Sequence, residues 1–224
     1  MRRDFISNLS HELRTPVSVI RANSETLLDG ALDNKKEAKT FARAILHNSE
    51  RLSVMVADLI DLSRIEYGDL KLNIKKIDLI SFMENFVTSM KSVTKKKEIE
   101  IIFKSNHYDF VKADPQALER IMNNLVDNAF KYSEKGSIIE ISTITEYQHV
   151  KVMVSDSGVG VSDEDKSHIF DRFYRTASAR ASDNKGSGLG LAIVKNLTNS
   201  LNGEVGVESK NDAGSIFWFT LPIN

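Results

Sequence analysis

The first third of the chain carries two apolar stripes with the spacing of a helix. Apolar residues recur every three or four positions through residues 4–29 and 35–66, which predicts two long helices. The stripes consist of Phe5, Leu9, Leu13, Val17 and Ile20, then Ile45, Leu52, Met55, Leu59 and Leu62. Gly30 ends the first helix, and Asp33 or Asn34 can cap the second. One hairpin cannot cover both stripes, so self-association into a four-helix bundle is predicted.

Beyond residues 67–74 the pattern changes to shorter elements. Helices are predicted at 79–94, 115–133 and about 189–201, and strands at 99–103, 138–144, 150–156 and 215–221. Asp78 and Asp114 are predicted N-caps. Helices interleaved with mostly antiparallel strands are typical of an α+β sandwich. The sequence therefore predicts two domains, at residues 1–67 and 75–224.

Composition narrows the function classes. Hydrophobic residues make up 41% of the 224 positions and charged residues 27%, as in ordinary globular proteins. A formal net charge of -1 gives no field that attracts nucleic acid or a membrane surface. The chain has no cysteine, which excludes disulfides, thiolate zinc sites and cysteine nucleophiles. We therefore expect a cytoplasmic chain without a nucleic-acid partner and without membrane contact of its own.

One histidine lies on the wrong side of the first helix for burial. At about 100° per residue, Leu13, Pro16 and Ile20 fall near Leu9, whereas His11 falls roughly opposite them. The side chains that share its face are those of Ser7, Thr15 and Ser18. Pro16 inside a helix costs about 3 kcal/mol and frees the carbonyl next to His11. The pattern therefore predicts an exposed histidine beside a deliberate helix distortion, the alternative being a solvated histidine without a task.

Polar side chains follow one edge of the predicted helix 115–133. Asn124 and Asn128 are four residues apart, and Lys131 continues their edge. Two amides and an ammonium suit phosphate oxygens and a hydrated Mg²⁺. A solvated polar edge is the alternative for the two asparagines alone.

Two glycine-containing segments accompany this edge. Asp156 lies two residues after the last alternating valine of strand 150–156, so its side chain is predicted to point inward, just before Gly158 and Gly160. A buried carboxylate needs hydrogen-bond donors, and the exocyclic amine of adenine is a suitable one. The alternative is a turn aspartate that bonds its own backbone. A second cluster at the start of the last helix offers backbone amides to phosphate, through Gly186, Gly188 and Gly190. The long polar segment 161–185 before it is predicted to be disordered or a lid.

The segment around the exposed histidine resembles the H-box of sensor histidine kinases. The matching residues are Ser10-His11-Glu12-Leu13-Arg14-Thr15-Pro16. The resemblance implies that His11 is the phosphoacceptor and that Glu12 orients or deprotonates its imidazole. It also implies that Thr15 positions water when such enzymes dephosphorylate their partner.

The second domain is similar to the ATP-binding domain shared by histidine kinases, type II topoisomerases, Hsp90 chaperones and MutL repair proteins. Residues 124–132 match the N-box, 156–160 the first glycine box, 170–175 the F-box and 186–191 the second glycine box. The fold class implied is α+β: a helical hairpin that forms a dimeric four-helix bundle, followed by an α/β sandwich of the GHKL (Bergerat) type.

The resemblance also implies the ligands and their residues. Asn128 is expected to ligate Mg²⁺, and Asn124 is expected to assist at the phosphates. Lys131 and Arg175 are expected to approach the phosphates, Tyr132 to lie near the nucleotide, and Asp156 to read the adenine. The implied nucleotide-binding set is Asn124, Asn128, Lys131, Tyr132, Asp156, Gly158, Gly160, Arg175, Gly186, Gly188, Gly190 and Leu191. ATP and Mg²⁺ are the expected cofactors.

The function implied is ATP-dependent autophosphorylation of His11 and transfer of the phosphoryl group to an aspartate of a response-regulator receiver domain. Dephosphorylation of that regulator and a homodimeric state are implied with it. The chain is expected to be a fragment of a larger membrane-anchored sensor, the alternative being a soluble variant of the family. Two alternatives remain, a nucleotide-binding pseudokinase scaffold and an ATPase of the chaperone or mismatch-repair kind. Intact His11, Glu12, Asn128 and Asp156 argue against the scaffold, and the exposed histidine on its own hairpin has no role in the ATPase.

Overall fold

A helical hairpin opens the fold. The computed structural model describes residues 2–66, 68–105, 110–181, 186–210 and 214–223, and the side chains of residues 2–5, 66 and 181, including that of Phe5, lie outside this description. Helix α1 (Arg2–Leu28) and helix α2 (Lys35–Glu66) are joined by a 3-10 turn at Ala31–Asp33. Asn34 caps α2, because its Oδ1 accepts hydrogen bonds from the N–H groups of Lys36 at 3.1 Å and Glu37 at 3.4 Å. The two predicted helices are confirmed.

The seam of the hairpin follows the predicted stripe with one exception. Pro16 is buried and α1 continues through it from end to end, while His11 is exposed. Val17 is 51% exposed, so the single hairpin leaves this member of the stripe uncovered. At about 100° per residue it lies roughly 80° from Leu9, at the margin of the buried side. The outward orientation of His11 that the helical periodicity predicted is confirmed.

The rest of the chain is an α/β unit. Its helices are α3 (Leu79–Ser89), α4 (Lys91–Lys97), α5 (Pro115–Tyr132), α6 (Asp163–Lys166), α7 (Ala177–Ala181) and α8 (Gly190–Ser200). Its strands are β1 (Lys75–Asp78), β2 (Glu100–Ser105), β3 (Phe110–Ala113), β4 (Ile138–Glu146), β5 (His149–Ser155), β6 (Val205–Ser209) and β7 (Ser215–Pro222). The sequence did not predict β1, β3 and β6, because these strands are short.

The strands form two sheets. The larger has the order β2-β4-β5-β7-β6, in which only the β2–β4 pair is parallel, and β1 pairs with β3 in a separate antiparallel ribbon. Helices α5 and α8 pack against each other and against the larger sheet. The face that α5 turns toward the core consists of apolar residues at helical spacing: Leu118, Ile121, Met122, Leu125, Val126 and Ala129. The predicted α+β sandwich is confirmed.

The helix predicted at 79–94 is two helices. The Ser89 hydroxyl donates to the Phe86 carbonyl at 2.7 Å, and the Met90 N–H is shared between the Phe86 and Val87 carbonyls. A side chain that competes for a ladder carbonyl weakens helix continuity, which explains the break at this point. Met83 of α3 is fully buried. The predicted caps are confirmed, since Asp78 accepts from the Ser81 N–H and Asp114 caps α5.

The hairpin packs against the α/β unit through α2 and α8. Met55 and Leu62 of α2 are 0% and 2% exposed and belong to the same apolar cluster as the core of the sandwich. Within the described residues, no helix has the length and apolar character that a membrane span requires. Because the two units are in contact, α2 also forms one wall of a cavity in the α/β unit.

Candidate active site

A cavity of about 650 Å³ lies between α5, the loop after β5, the start of α8 and one side of α2. A volume of this size is typical of a small-molecule site. It collects every residue predicted to bind nucleotide except Gly158: Asn124, Asn128, Lys131, Tyr132, Asp156, Gly160, Arg175, Gly186, Gly188, Gly190 and Leu191. Four separate sequence segments therefore converge on one cavity.

Asp156 lies at the inner end of this cavity and is 3% exposed. Its Oδ1 accepts hydrogen bonds from the Gly158 N–H at 2.8 Å and the Ser215 N–H at 3.1 Å. The turn-aspartate alternative is therefore correct for this one oxygen. Among the described residues, both hydrogen bonds to this carboxylate end on Oδ1. Oδ2 is therefore the atom that can accept a hydrogen bond from a ligand.

Burial sets the charge state of this carboxyl group. Removal from water raises the pKa of Asp156 above its ordinary value, while the two backbone hydrogen bonds and the nearby Lys210 charge act in the opposite direction. The Lys210 Nζ also donates to the Asp156 carbonyl at 2.9 Å. A carboxyl group with a raised pKa inside a cavity is a frequent mark of a functional site.

The polar edge of α5 is arranged by its own helix. The Asn124 Nδ2 donates to the Arg120 carbonyl at 2.8 Å, which directs its Oδ1 toward Gly190. Lys131 Nζ lies 2.5 Å from the Asp127 carboxylate. Asn128, one turn after Asn124 on the same helix, is half-buried. The described residues contain no group of three or more metal-ligating His, Asp or Glu side chains. The site therefore fits a cation such as Mg²⁺ only where ligand phosphates and water complete its shell.

The second glycine box is fixed against the F-box. Gly188 has φ +71, and a Cβ there would lie 2.8 Å from the Phe173 Cα. The Phe173 N–H donates to the Gly188 carbonyl at 2.9 Å, and buried Leu189 anchors the start of α8. Gly188, Gly190 and Leu191 line the cavity, so the start of α8 with its backbone amides lies in the cavity wall.

The segment predicted to be disordered or a lid is folded over residues 161–181. Ser162 caps α6, and the Tyr174 hydroxyl donates to the Asp165 carboxylate at 2.6 Å. Arg175 donates from Nη2 to the Ala179 carbonyl in α7. The prediction for residues 182–185 falls outside the described residues. The folded part covers one side of the cavity, as a lid would.

The H-box lies beside the cavity rather than in it. The Thr15 Oγ1 donates to the His11 carbonyl at 3.3 Å, so the hydroxyl and the imidazole share one exposed face of α1. Neither residue lines the cavity. Half-buried Glu12 has its Oε2 3.4 Å from the Nη2 of Arg51, and Arg51 does line the cavity. The ion pair between Glu12 and Arg51 therefore links the H-box to the wall of the cavity.

Comparison with known families agrees with both halves of this arrangement. Residues 1–68 match the His Kinase A (phospho-acceptor) domain, and residues 113–224 match the histidine kinase-, DNA gyrase B- and HSP90-like ATPase family. The chain belongs to the sensor histidine kinases. The sensor-like histidine kinase SenX3 of Mycobacterium tuberculosis is 36% identical over 221 residues, which are 99% of this chain and 54% of SenX3. The chain therefore spans about half the length of that relative.

Solved structures of other histidine kinases share the fold. The Acinetobacter baumannii histidine kinase AdeS has a TM-score of 0.78 and 26% identity, over 96% of this chain and 98% of that chain. The histidine kinase ThkA, solved in complex with the response regulator protein TrrA, has a TM-score of 0.81 and 23% identity, over 99% of this chain and 61% of that chain. Both similarities include the hairpin as well as the α/β unit.

Three charged residues outside the recognised motifs line the cavity of this histidine kinase and were not predicted from the sequence. They are Arg51 and Asp58 on α2 and Arg120 on α5. Residues almost equally far from the turn of an antiparallel hairpin face each other, so the pairing of Arg51 with Glu12 was open to prediction from that register. The pairing of Asp58 with Arg120 was not, since it depends on how two separate units dock.

Proposed function

We propose that this chain is an ATP-dependent protein-histidine kinase whose phosphoacceptor is His11. The observation that carries the proposal is the combination of an exposed H-box histidine on a hairpin with a GHKL-type cavity that packs against the same hairpin. A chaperone-type ATPase has the cavity but no use for the histidine. A scaffold has no use for an intact acid next to that histidine.

The reaction is a transfer of the terminal phosphoryl group of ATP. One ring nitrogen of His11 forms a bond to the terminal phosphorus, and the bond from that phosphorus to the bridging oxygen breaks, with its electron pair leaving on ADP. The proton on the other ring nitrogen passes to the Glu12 carboxylate, which is the nearest base in the sequence. Because His11 does not line the cavity, we expect a shift of the α/β unit along the hairpin before transfer.

The cavity residues divide the work of binding. Asp156 Oδ2 accepts the exocyclic amine of adenine, while Tyr132 lies near the nucleotide and Lys131 and Arg175 approach the phosphates. Backbone amides from Gly186 to Leu191 complete the phosphate site. Asn128 would ligate Mg²⁺ and Asn124 would assist at the phosphates, where the ion would supply positive charge.

The partner proposed for the phosphorylated protein is the receiver domain of a response regulator, whose aspartate takes the phosphoryl group. ThkA was solved with such a regulator, and the two hairpins share a fold. Thr15, on the same exposed face as His11, is proposed to hold water for dephosphorylation of that regulator. The division into domains 1–67 and 75–224 and the place of this chain in the cytoplasmic part of a membrane-bound sensor remain predictions.

A homodimer through the hairpin is proposed as the working assembly. Large apolar side chains remain exposed along the hairpin: Val17, Leu28, Leu32, Leu46, Val56 and Ile60. Such a surface is unusual for a monomer and suits a two-fold bundle with a second copy. Light scattering of the chain at micromolar concentration should give twice the monomer mass, and a monomer would contradict the proposal.

Incubation of the purified chain with ATP labelled at the terminal phosphate tests the proposed function against its alternatives. Acid-labile label on the protein supports the kinase. Label released only as free phosphate supports the ATPase, and neither product supports the scaffold. Since the three outcomes are exclusive, one assay with and without Mg²⁺ decides between them.

A further inference from the structure

Arg51 is a hairpin residue placed in the wall of the nucleotide cavity. Its side chain is 12% exposed, and it lines the same cavity as Asn124, Asn128 and Arg175, although it comes from α2 rather than from the α/β unit. It lies outside the motifs that identify the H-box and the four boxes of the ATP-binding domain. Its position between the H-box and the cavity therefore needs an explanation of its own.

The contacts of Arg51 leave its guanidinium incompletely paired. Nη2 lies 3.4 Å from the Glu12 Oε2, a long contact for a charge-assisted hydrogen bond. The Nε atom is buried and has no hydrogen-bond partner among the described residues. A buried N–H without an acceptor is unfavourable, and so is a desolvated cation with a single distant counter-charge. A second anion in the cavity would correct both.

We propose that Arg51 is a catalytic residue that bridges the Glu12 carboxylate and the terminal phosphoryl group of the bound nucleotide. This inference rests on the proposed kinase function. The planar guanidinium presents several donors in fixed directions, so it can hold a carboxylate and a phosphate together. It holds the Glu12 carboxylate beside the cavity and offsets negative charge on the group in transfer. The bonds made and broken are those of the transfer to His11 described above.

Variants of the full chain test the role. Arg51→Ala should slow single-turnover autophosphorylation roughly tenfold to a hundredfold, as for loss of a charged hydrogen bond. It should weaken ATP binding but not ADP binding, because ADP lacks the terminal group. Arg51→Lys should recover part of the rate, since an ammonium can reach one partner but not both. Arg43→Ala, an exposed arginine two turns earlier on α2, is the matched control and should behave as wild type.

A double-mutant cycle with Glu12→Gln gives a second readout. If Arg51 acts together with Glu12, its removal should cost less in the Gln background than in the wild type. Unchanged autophosphorylation in Arg51→Ala would overturn the proposal, and so would an equal loss of ATP and ADP binding, which would reduce Arg51 to a structural part of the wall. A wild-type chain that takes no label would instead refute the kinase function, and the ATP and ADP affinities would still report on Arg51.

Discussion

Arg120 on α5 donates from Nη2 to Oδ1 of Asp58 on α2 at 2.6 Å. The same nitrogen lies 3.0 Å from the Asp61 carboxylate, and Asp58 is almost completely buried. Burial raises the pKa of Asp58, with the Arg120 charge opposing the shift. The carbonyl of Arg120 also holds Asn124, so this ion pair connects the hairpin to the N-box through a single residue.

Loss of Arg120 should therefore loosen the docking of the two units. Arg120→Ala leaves a buried carboxylate without its cation, and we expect the free energy of unfolding to fall by roughly 1–2 kcal/mol, allowing for the partial exposure of Arg120. Chemical denaturation measures this change.

Two further variants separate docking from general surface effects. Asp58→Asn added to Arg120→Ala should restore part of the stability, because no buried charge is then left behind. Arg21→Ala, which breaks the exposed Arg21–Glu25 pair, should leave stability unchanged. Equal losses for Arg21→Ala and Arg120→Ala would show that the interdomain pair has no special role.

Nucleotide affinity should depend on pH through Asp156. Its pKa is raised by burial, and only the ionised carboxylate offers Oδ2 as an acceptor to adenine. ATP affinity should fall as the pH is lowered through that raised pKa, while Asp156→Asn should bind with little pH dependence over the same range. Isothermal titration over a series of pH values measures both, and parallel curves would exclude Asp156 as the titrating group.

The same group has the opposite effect on the protein without nucleotide. A folded-state pKa above the unfolded value means that the folded protein holds this proton more tightly. The contribution of Asp156 to stability is therefore present below the unfolded pKa and is lost as the pH rises through the folded pKa. The free energy of unfolding of the wild type minus that of Asp156→Asn, measured by denaturation at several pH values, should fall as the pH rises. A difference that grows with pH would contradict this assignment.

Two glycines of the second glycine box form a matched pair. A Cβ at Gly190 would lie 2.7 Å from the Asn124 Oδ1, whereas a Cβ at Gly186 has nothing within 4 Å. Gly190→Ala should displace the Asn124 amide and lower the autophosphorylation rate, with Gly186→Ala much closer to wild type. Rates measured at saturating ATP compare the two, and a greater loss for Gly186→Ala would reverse the assignment.

Much of the fold followed from the sequence because its strongest patterns were local. The apolar face of α5 and the outward direction of His11 depend on helical periodicity, which a single chain segment displays. The short strands β1, β3 and β6 depend on partners elsewhere in the chain, and the break after Ser89 depends on one hydroxyl. In the site, the residues of the H-box and of the four nucleotide-binding boxes were predictable from local sequence. The roles of Arg51, Asp58 and Arg120 depend on how the hairpin packs against the α/β unit, which no local pattern shows.

Thr15 should separate two activities that use the same helix. Its hydroxyl bonds the His11 carbonyl on the exposed face of α1, and attack on ATP needs the imidazole and Glu12 but not this hydroxyl. Thr15→Ala should weaken dephosphorylation of a phosphorylated regulator and leave autophosphorylation largely intact. The alternative is that Thr15 only shapes the helix before Pro16. Both rates measured on one preparation decide the matter, and parallel losses would exclude the phosphatase role.

The central claim is that His11 carries the phosphoryl group, and labelling of histidine variants with terminally labelled ATP tests it most directly. His11→Gln should keep the fold and the affinity for ATP but take no acid-labile label, because only a ring nitrogen can accept the group. His47→Gln, at an exposed histidine on α2, should label as wild type does. Acid-labile label on folded His11→Gln protein would contradict the account.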